Sequence, residues 1–177
     1  MSVRSNRISR ASERGFSLIE LGIVIAVIAV LASVVIVGRG FINSSRTGKA
    51  AEALATIRKA GAVYTANMSG PSVNNEVDAL QRRDLLPKAQ NDNTGEWTMA
   101  GSGTTAFKVT NIRFGMVGTG NAAAINIATP ELTQAEDLFK LVVGDPNFLN
   151  GGVVAGVNCP TRTAVPTSQN VTVCFKL

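Results

Sequence analysis

One stretch constrains this chain more than any other: Gly15 to Val37, reading GFSLIELGIVIAVIAVLASVVIV. From Leu21 to Val37 it carries no charge. A run of that length crosses a bilayer as a helix. Just before it lie Arg4, Arg7, Arg10 and Arg14, a basic flank that holds the N-terminus in the cytoplasm and sends the remainder outward. Inside the apolar run, near its start, sits a single carboxylate, Glu20. On the lenient insertion scales a charge within a membrane helix costs about 2.5–3.5 kcal/mol, so Glu20 needs a reason and a partner.

The order of residues supplies a resemblance. A basic leader, then Gly15-Phe16-Ser17-Leu18-Ile19-Glu20, then an apolar helix, resembles the processing site of type IV pilins. The resemblance is close over about residues 10 to 68 and loose beyond. It implies cleavage after Gly15 by a prepilin peptidase on the cytoplasmic side and N-methylation of the new terminal residue, Phe16. Glu20 then stands at the fifth place of the mature chain. The family also implies its role: the Phe16 amine becomes a positive charge in the membrane region, and Glu20 pairs with it, in its own chain or a neighbour's, fixing subunit register. Other partners are implied likewise: an inner-membrane platform, a cytoplasmic assembly ATPase, and further copies of the chain in a helical homopolymer. Two plainer readings stand beside this one. An ordinary secretory signal would be cut after Val30-Leu31-Ala32, and a plain signal anchor would not be cut at all. The first leaves Glu20 unexplained.

Most of the charge belongs to the leader. Of a formal net +5, residues 1–15 hold four Arg against Glu13. The remainder is nearly balanced, with no basic stripe interleaved with aromatics, so nucleic acid is not expected as a primary partner. Histidine is absent, which removes the commonest general base and metal ligand. No catalytic constellation, metal site or cofactor is expected, and the chain reads as no enzyme. Asp145, Asn147 and Asn150 put three oxygens near one turn, weak grounds for calcium. Asn43-Ser44-Ser45 and Asn170-Val171-Thr172 match glycosylation sequons and read as accidental.

The helix is expected to continue past the apolar run. Gly38-Arg39-Gly40 interrupts it with two poor helix formers; it reads either as a soft point where the helix stretches in a fibre or as a simple membrane exit. Phe41, Ile42, Ala50, Ala53, Leu54, Ile57, Ala60, Gly61 and Tyr64 then recur at helical spacing, with Arg46, Lys49, Glu52, Thr56 and Lys59 opposite. No proline intervenes before Pro71, and Met68-Ser69-Gly70-Pro71 reads as the stop. The expected division is a leader over 1–15, a helix over 16–68 (membrane or filament-core half 16–37, amphipathic half 41–68) and a globular head over 69–177.

In the head, residues 72–105 read as a polar connection. It holds a short helix over Asn75–Arg83, a Leu85-Leu86-Pro87 packing point, a turn at Asn91–Gly95, and the only tryptophan, Trp97, as a core plug. Phe107–Val117 and Ala122–Ala128 read as strands joined by a hairpin at Gly118–Asn121. A helix should open with Thr129 as N-cap and Pro130 at its first position and stop at Gly144. Strands are expected at about Gly152–Val157 and Val171–Lys176. The class is α+β: a long N-terminal helix on an antiparallel sheet of about four strands, the type IV pilin fold. Cys159 and Cys174 lie beyond the membrane segment, where a disulfide is the default and two buried free thiols the alternative. The family commonly carries such a C-terminal bridge.

Leu132-Thr133-Gln134-Ala135 with Gly144-Asp145, and the long leader, are similar to type IVb pilins. The Phe16 start is more usual in type IVa, but the helix lacks a proline near Val37; type IVb is the closer likeness. The resemblance implies a membrane precursor that becomes the subunit of an extracellular pilus. A minor pilin, a type II secretion pseudopilin and a membrane-anchored receptor domain that never polymerises are the alternatives. Adhesion, motility, DNA uptake, conjugation and phage attachment are not distinguished.

Overall fold

The computed structural model describes residues 16–67, 74–87 and 95–177. The chain divides into two compact units, Met1–Gly40 and Phe41–Leu177. Helix α1, Leu18–Thr65, begins in the first and ends in the second, and its helical assignment runs unbroken through Gly38 and Gly40. The expected stop at Met68–Pro71 lies outside the described residues.

Within the second unit, α1 buries Thr47, Ala50, Leu54, Ile57, Ala60, Gly61 and Tyr64. These recur every three or four residues and so share one face. Phe41 and Ile42, expected on that face, are exposed; burial begins only at Thr47. The buried face packs on a four-stranded antiparallel sheet built from β1 (Trp97–Ala100), β2 (Phe107–Val117), β3 (Gly120–Ala128) and β6 (Asn170–Lys176), in the order β1-β2-β3-β6. The α+β class read from the sequence holds. A second helix, α2 (Val77–Arg82), and a third, α3 (Leu132–Val143), complete this layer. Phe107, Val109, Ile112 and Phe114 of β2 alternate inward, with Ile125 and Ile127 of β3 and Val171 and Val173 of β6.

The opposite face of the sheet has its own smaller core: Ala122, Ala124, Leu149, Val154, Cys159 and Cys174. It is roofed by a hairpin of β4 (Val153–Val154) and β5 (Val157–Asn158). The sequence predicts one strand here. Ala155 at φ 47° and Gly156 at φ 80° instead fold the segment into a tight two-residue turn. The β2–β3 hairpin forms where expected, with Val117 opposite Gly120.

Two further expectations are corrected. Thr129 does not cap α3. Its N–H and hydroxyl both donate to the Gln169 carbonyl, at 2.8 and 2.9 Å, so it is spent on closing the sheet. The cap position passes to the extended Glu131, whose carbonyl accepts from Ala135 N–H at 3.1 Å. Nor is 72–105 only a connection, because β1 lies within it. Trp97, 7% exposed, belongs to the main core as expected, and Leu86 packs there too. Of the Asn91–Gly95 turn only Gly95 is among the described residues.

Candidate membrane anchor and assembly site

Among the described residues of the first unit, nothing packs on the helix. Fourteen large apolar side chains between Leu18 and Val37 are exposed, and none of this span is buried by the chain itself. Each is worth about 1.5–3 kcal/mol when removed from water. The sum is tens of kcal/mol, far more than a domain's net stability, so lipid or other chains must cover this surface.

The helix starts where Ser17 can serve it: the Ser17 carbonyl accepts from Leu21 N–H at 3.1 Å, and its Oγ accepts from Ile19 N–H at 3.4 Å. Glu20 sits in the first turn, where unpaired N–H groups favour an acid. Phe16, 83% exposed, precedes Glu20 by four residues, about one helical turn. In the uncut chain the Phe16 nitrogen is still a peptide nitrogen; the charged amine exists only after cleavage. Gly15 lies outside the described residues. At Gly38 and Gly40 an added Cβ would meet nothing within 4 Å, so neither glycine is there to make room within this chain.

In the second unit Cys159 and Cys174 form a disulfide, with Cα atoms 5.7 Å apart and both residues buried. It ties the end of β5 to β6, the last strand. The span after α3 also pairs with β6: Leu149 N–H donates to the Cys174 carbonyl at 2.9 Å and Lys176 N–H to the Asn147 carbonyl at 2.8 Å.

Two of the three side chains considered for calcium have their oxygens engaged, and the third, Asn147, serves as a donor. Asp145 accepts from Arg58 at 2.6 Å through Oδ2, and from Asn147 through Oδ1. Asn150 Oδ1 accepts from Arg162 N–H at 2.6 Å. Among the described residues no group of three metal-ligating side chains occurs. The Arg58–Asp145 pair joins residues 87 apart, α1 to the turn after α3, and no local pattern signals it. Burial pushes the Asp145 carboxyl up, but the Asn147 donors and the Arg58 charge outweigh it, leaving the group below its ordinary range. A second missed cluster fastens α2 to α1: the Tyr64 hydroxyl donates to Glu76 at 2.8 Å, and Arg83 lies 4.8 Å over the Tyr64 ring.

Residues 10–36 match the family model described as the prokaryotic N-terminal methylation motif. No significant match was found among curated proteins or among solved structures. The motif implies processing by a prepilin peptidase and handling by pilus-type assembly machinery in general, and with the apolar helix it makes the chain a membrane-anchored precursor. Motif, apolar helix, α+β head and disulfide together support a type IV pilin-like or pseudopilin-like prepilin, a structural rather than catalytic class of protein.

Proposed function

We propose that this chain is the structural subunit of a type IV pilus. The observation that carries the reading is the uncovered apolar helix, Leu18–Val37, nearly all of it within the methylation-motif match at residues 10–36. In the precursor, lipid covers that helix. The peptidase cuts between Gly15 and Phe16, and the assembly platform and its ATPase then move the helix from lipid into a bundle of its own kind, on a fibre outside the cell.

Cleavage creates the Phe16 ammonium, and Glu20 supplies its counter-charge. At 4 Å two unit charges attract by about 4 kcal/mol at an effective dielectric of 20, against about 1 in water. Desolvation in the bundle offsets part of that gain, but removing one partner of a buried pair costs about 3–5 kcal/mol. The pair therefore selects register: a subunit docked one turn out of place leaves both charges unpaired. Gly38 and Gly40, not required for space, give the helix a point that unwinds at low cost when subunits pack.

N-terminal sequencing of sheared material tests cleavage, with Phe16 expected. Gly15→Arg should leave uncut precursor in the membrane. Glu20→Gln should be processed and folded yet yield few or no fibres by electron microscopy. Abundant fibres built only of Glu20→Gln subunits would overturn the register argument. A chain scarce in sheared fibres would be a minor pilin or pseudopilin.

A further inference from the structure

The second unit carries an uncovered apolar patch close to where its chain begins. Phe41 and Ile42 open the unit, and both are exposed. Phe41 comes four residues after Val37, the end of the apolar run. Four residues reach at most about 14 Å however they are arranged, so Phe41 stays close to whatever covers Val37. One helical turn past Phe41, Ser44, Thr47 and Gly48 of α1 line one side of a cleft of about 570 Å³. Asp137, Lys140 and Leu141 of α3 line the other. Leu141 is 55% exposed, although its neighbours Leu138 and Val142 are buried.

The cleft is a hydrocarbon slot with a cation at its rim. The Thr47 hydroxyl donates to the Asn43 carbonyl of its own helix at 3.0 Å, so it is already engaged. At Gly48 an added Cβ would meet nothing within 4 Å, so the cleft has room there. Lys140 brings a four-carbon stem that lies along apolar surface while its ammonium stays in water. Its ion-pair partner is Asp137 at 3.8 Å, a loose contact that leaves most of the ammonium's donors free. Around this part of α1 every charge is positive: residues 38–51 hold Arg39, Arg46 and Lys49 and no acid. No ion pair among the described residues includes Arg46 or Lys49.

We propose that in the membrane-anchored chain this cleft takes an acyl chain of an anionic phospholipid and so seats the head on the lipid surface. The acyl chain runs over Gly48 and Leu141, and the phosphate meets the Lys140 ammonium. Phe41 and Ile42 enter the lipid interface, and Arg46 and Lys49 attract further anionic headgroups. Two observations choose this occupant: the cleft begins one turn from a residue that chain length keeps near the membrane, and its surroundings are basic. A polar ligand would find no free buried donor or acceptor, because the buried hydroxyl of the lining, Thr47, is taken. The inference rests on membrane anchoring alone and stands whether or not the chain polymerises. A subunit leaving the membrane must then empty its cleft of lipid.

The test uses the full precursor, methyl-labelled at leucine and methionine, with one chain per lipid nanodisc. The discs are phosphatidylcholine mixed with phosphatidylglycerol, and a trace of one lipid or the other carries a nitroxide on its acyl chain. Spin-labelled phosphatidylglycerol should broaden the Leu141 methyl signals at least threefold more than spin-labelled phosphatidylcholine. Met116 is the exposed control. It pairs with Asn121, whose amide donates to Thr65 Oγ1, and Thr65 lies about 27 Å along α1 from Thr47. Its methyl should broaden less than a third as much as those of Leu141. Gly48→Leu fills the cleft and should cut the Leu141 effect at least threefold without lowering the melting temperature. Lys140→Glu, at an exposed position, should abolish the preference for the anionic lipid. Added glycerol phosphate should displace nothing, since the acyl chain carries the binding. Equal broadening of Leu141 and Met116, equal effects of the two lipids, displacement by glycerol phosphate, or no change in Gly48→Leu would each overturn the proposal. So would Leu141 signals that respond only in discs holding two chains, which would give the cleft to a second copy.

Discussion

Gly61 is the position where α1 comes closest to the sheet, and it gives the sharpest test of how the head is packed. An ideal Cβ built there would lie 2.7 Å from Phe114 Cε1 and 3.3 Å from both Phe114 Cζ and Leu177 Cδ2. Carbon contacts are best at about 3.5–4.0 Å, so the Phe114 ring would have to retreat by about 1 Å. Phe114 has little room to do so: it is 1% exposed, and the Tyr64 ring lies against it with centroids 5.3 Å apart. Overpacking of this kind costs about 1–3 kcal/mol. Against it stands the helix propensity of alanine, worth about 1 kcal/mol over glycine. Gly61→Ala should therefore destabilise the head by about 1 kcal/mol in spite of improving the helix. Gly48, on the same helix, is the control: its Cβ would meet nothing within 4 Å, so Gly48→Ala should stabilise by about 0.5–1 kcal/mol. Denaturant unfolding of the processed chain in mild detergent, read from the fluorescence of buried Trp97, measures both. Phe114→Leu should reduce the penalty of Gly61→Ala when the two are combined. If Gly61→Ala stabilises as much as Gly48→Ala, the close seating of α1 on β2 is wrong.

Three other expectations follow from named contacts. Cys174→Ser opens the Cys159–Cys174 bridge, which spans 15 residues in sequence; about 3 kcal/mol of stability should be lost, seen as an earlier unfolding midpoint, while cleavage after Gly15 proceeds as before. Ala155→Gly should stabilise by roughly 0.5–1 kcal/mol, because φ 47° is left-handed backbone that costs alanine more than glycine; a melt no higher than the parent's would contradict the turn geometry. Asp145 has a depressed folded-state pKa, so its contribution is present above the ordinary aspartate range and is lost as pH falls through and below it. An acid titration of stability should show that loss in the parent and less of it in Arg58→Gln, and identical acid limbs would remove Arg58 from the account.

The parts legible in the sequence are those whose signal is local. The alternation in Phe107–Val117, the Gly118–Asn121 turn and the three-and-four spacing from Ala50 to Tyr64 each fix an element from within one short window, and each stands in the structure. What was illegible depends on distant partners. Thr129 carries every mark of an N-cap, yet the strand end at Gln169 takes both its donors. Asp145 looks like a turn oxygen, and its partner, Arg58, is 87 residues away. Residues 152–157 hold enough valine for a strand; only the positive φ at Ala155, where sequence favours Asn or Gly, breaks it in two. The candidate site divides the same way. Gly15, Phe16 and Glu20 are read from one short stretch, whereas the Arg58–Asp145 and Tyr64–Glu76 contacts exist only once separate segments meet.

If the proposed polymer forms, its subunits sit at high density and must avoid pairing through their sheets; both edges of this sheet are guarded. β6 is the outer strand on one side, but the span 147–149 lies along it and takes up its outward hydrogen bonds at Cys174 and Lys176, while Phe148 bridges Phe175. On the other side β1 has only four residues, and its register against β2 shifts between Thr98 and Ala100. Short or irregular edges resist strand addition. Among the described residues the longest uncovered apolar run is then the helix over Leu18–Val37, with its fourteen exposed apolar side chains. Under the proposed function, contacts between copies would then be steered toward helix packing, where Glu20 would penalise a misplaced subunit, and away from open-ended β pairing, where nothing would fix the register. The disulfide belongs to the same arrangement: by tying the end of β5 to β6 it holds in place the loop that guards the more extended of the two edges.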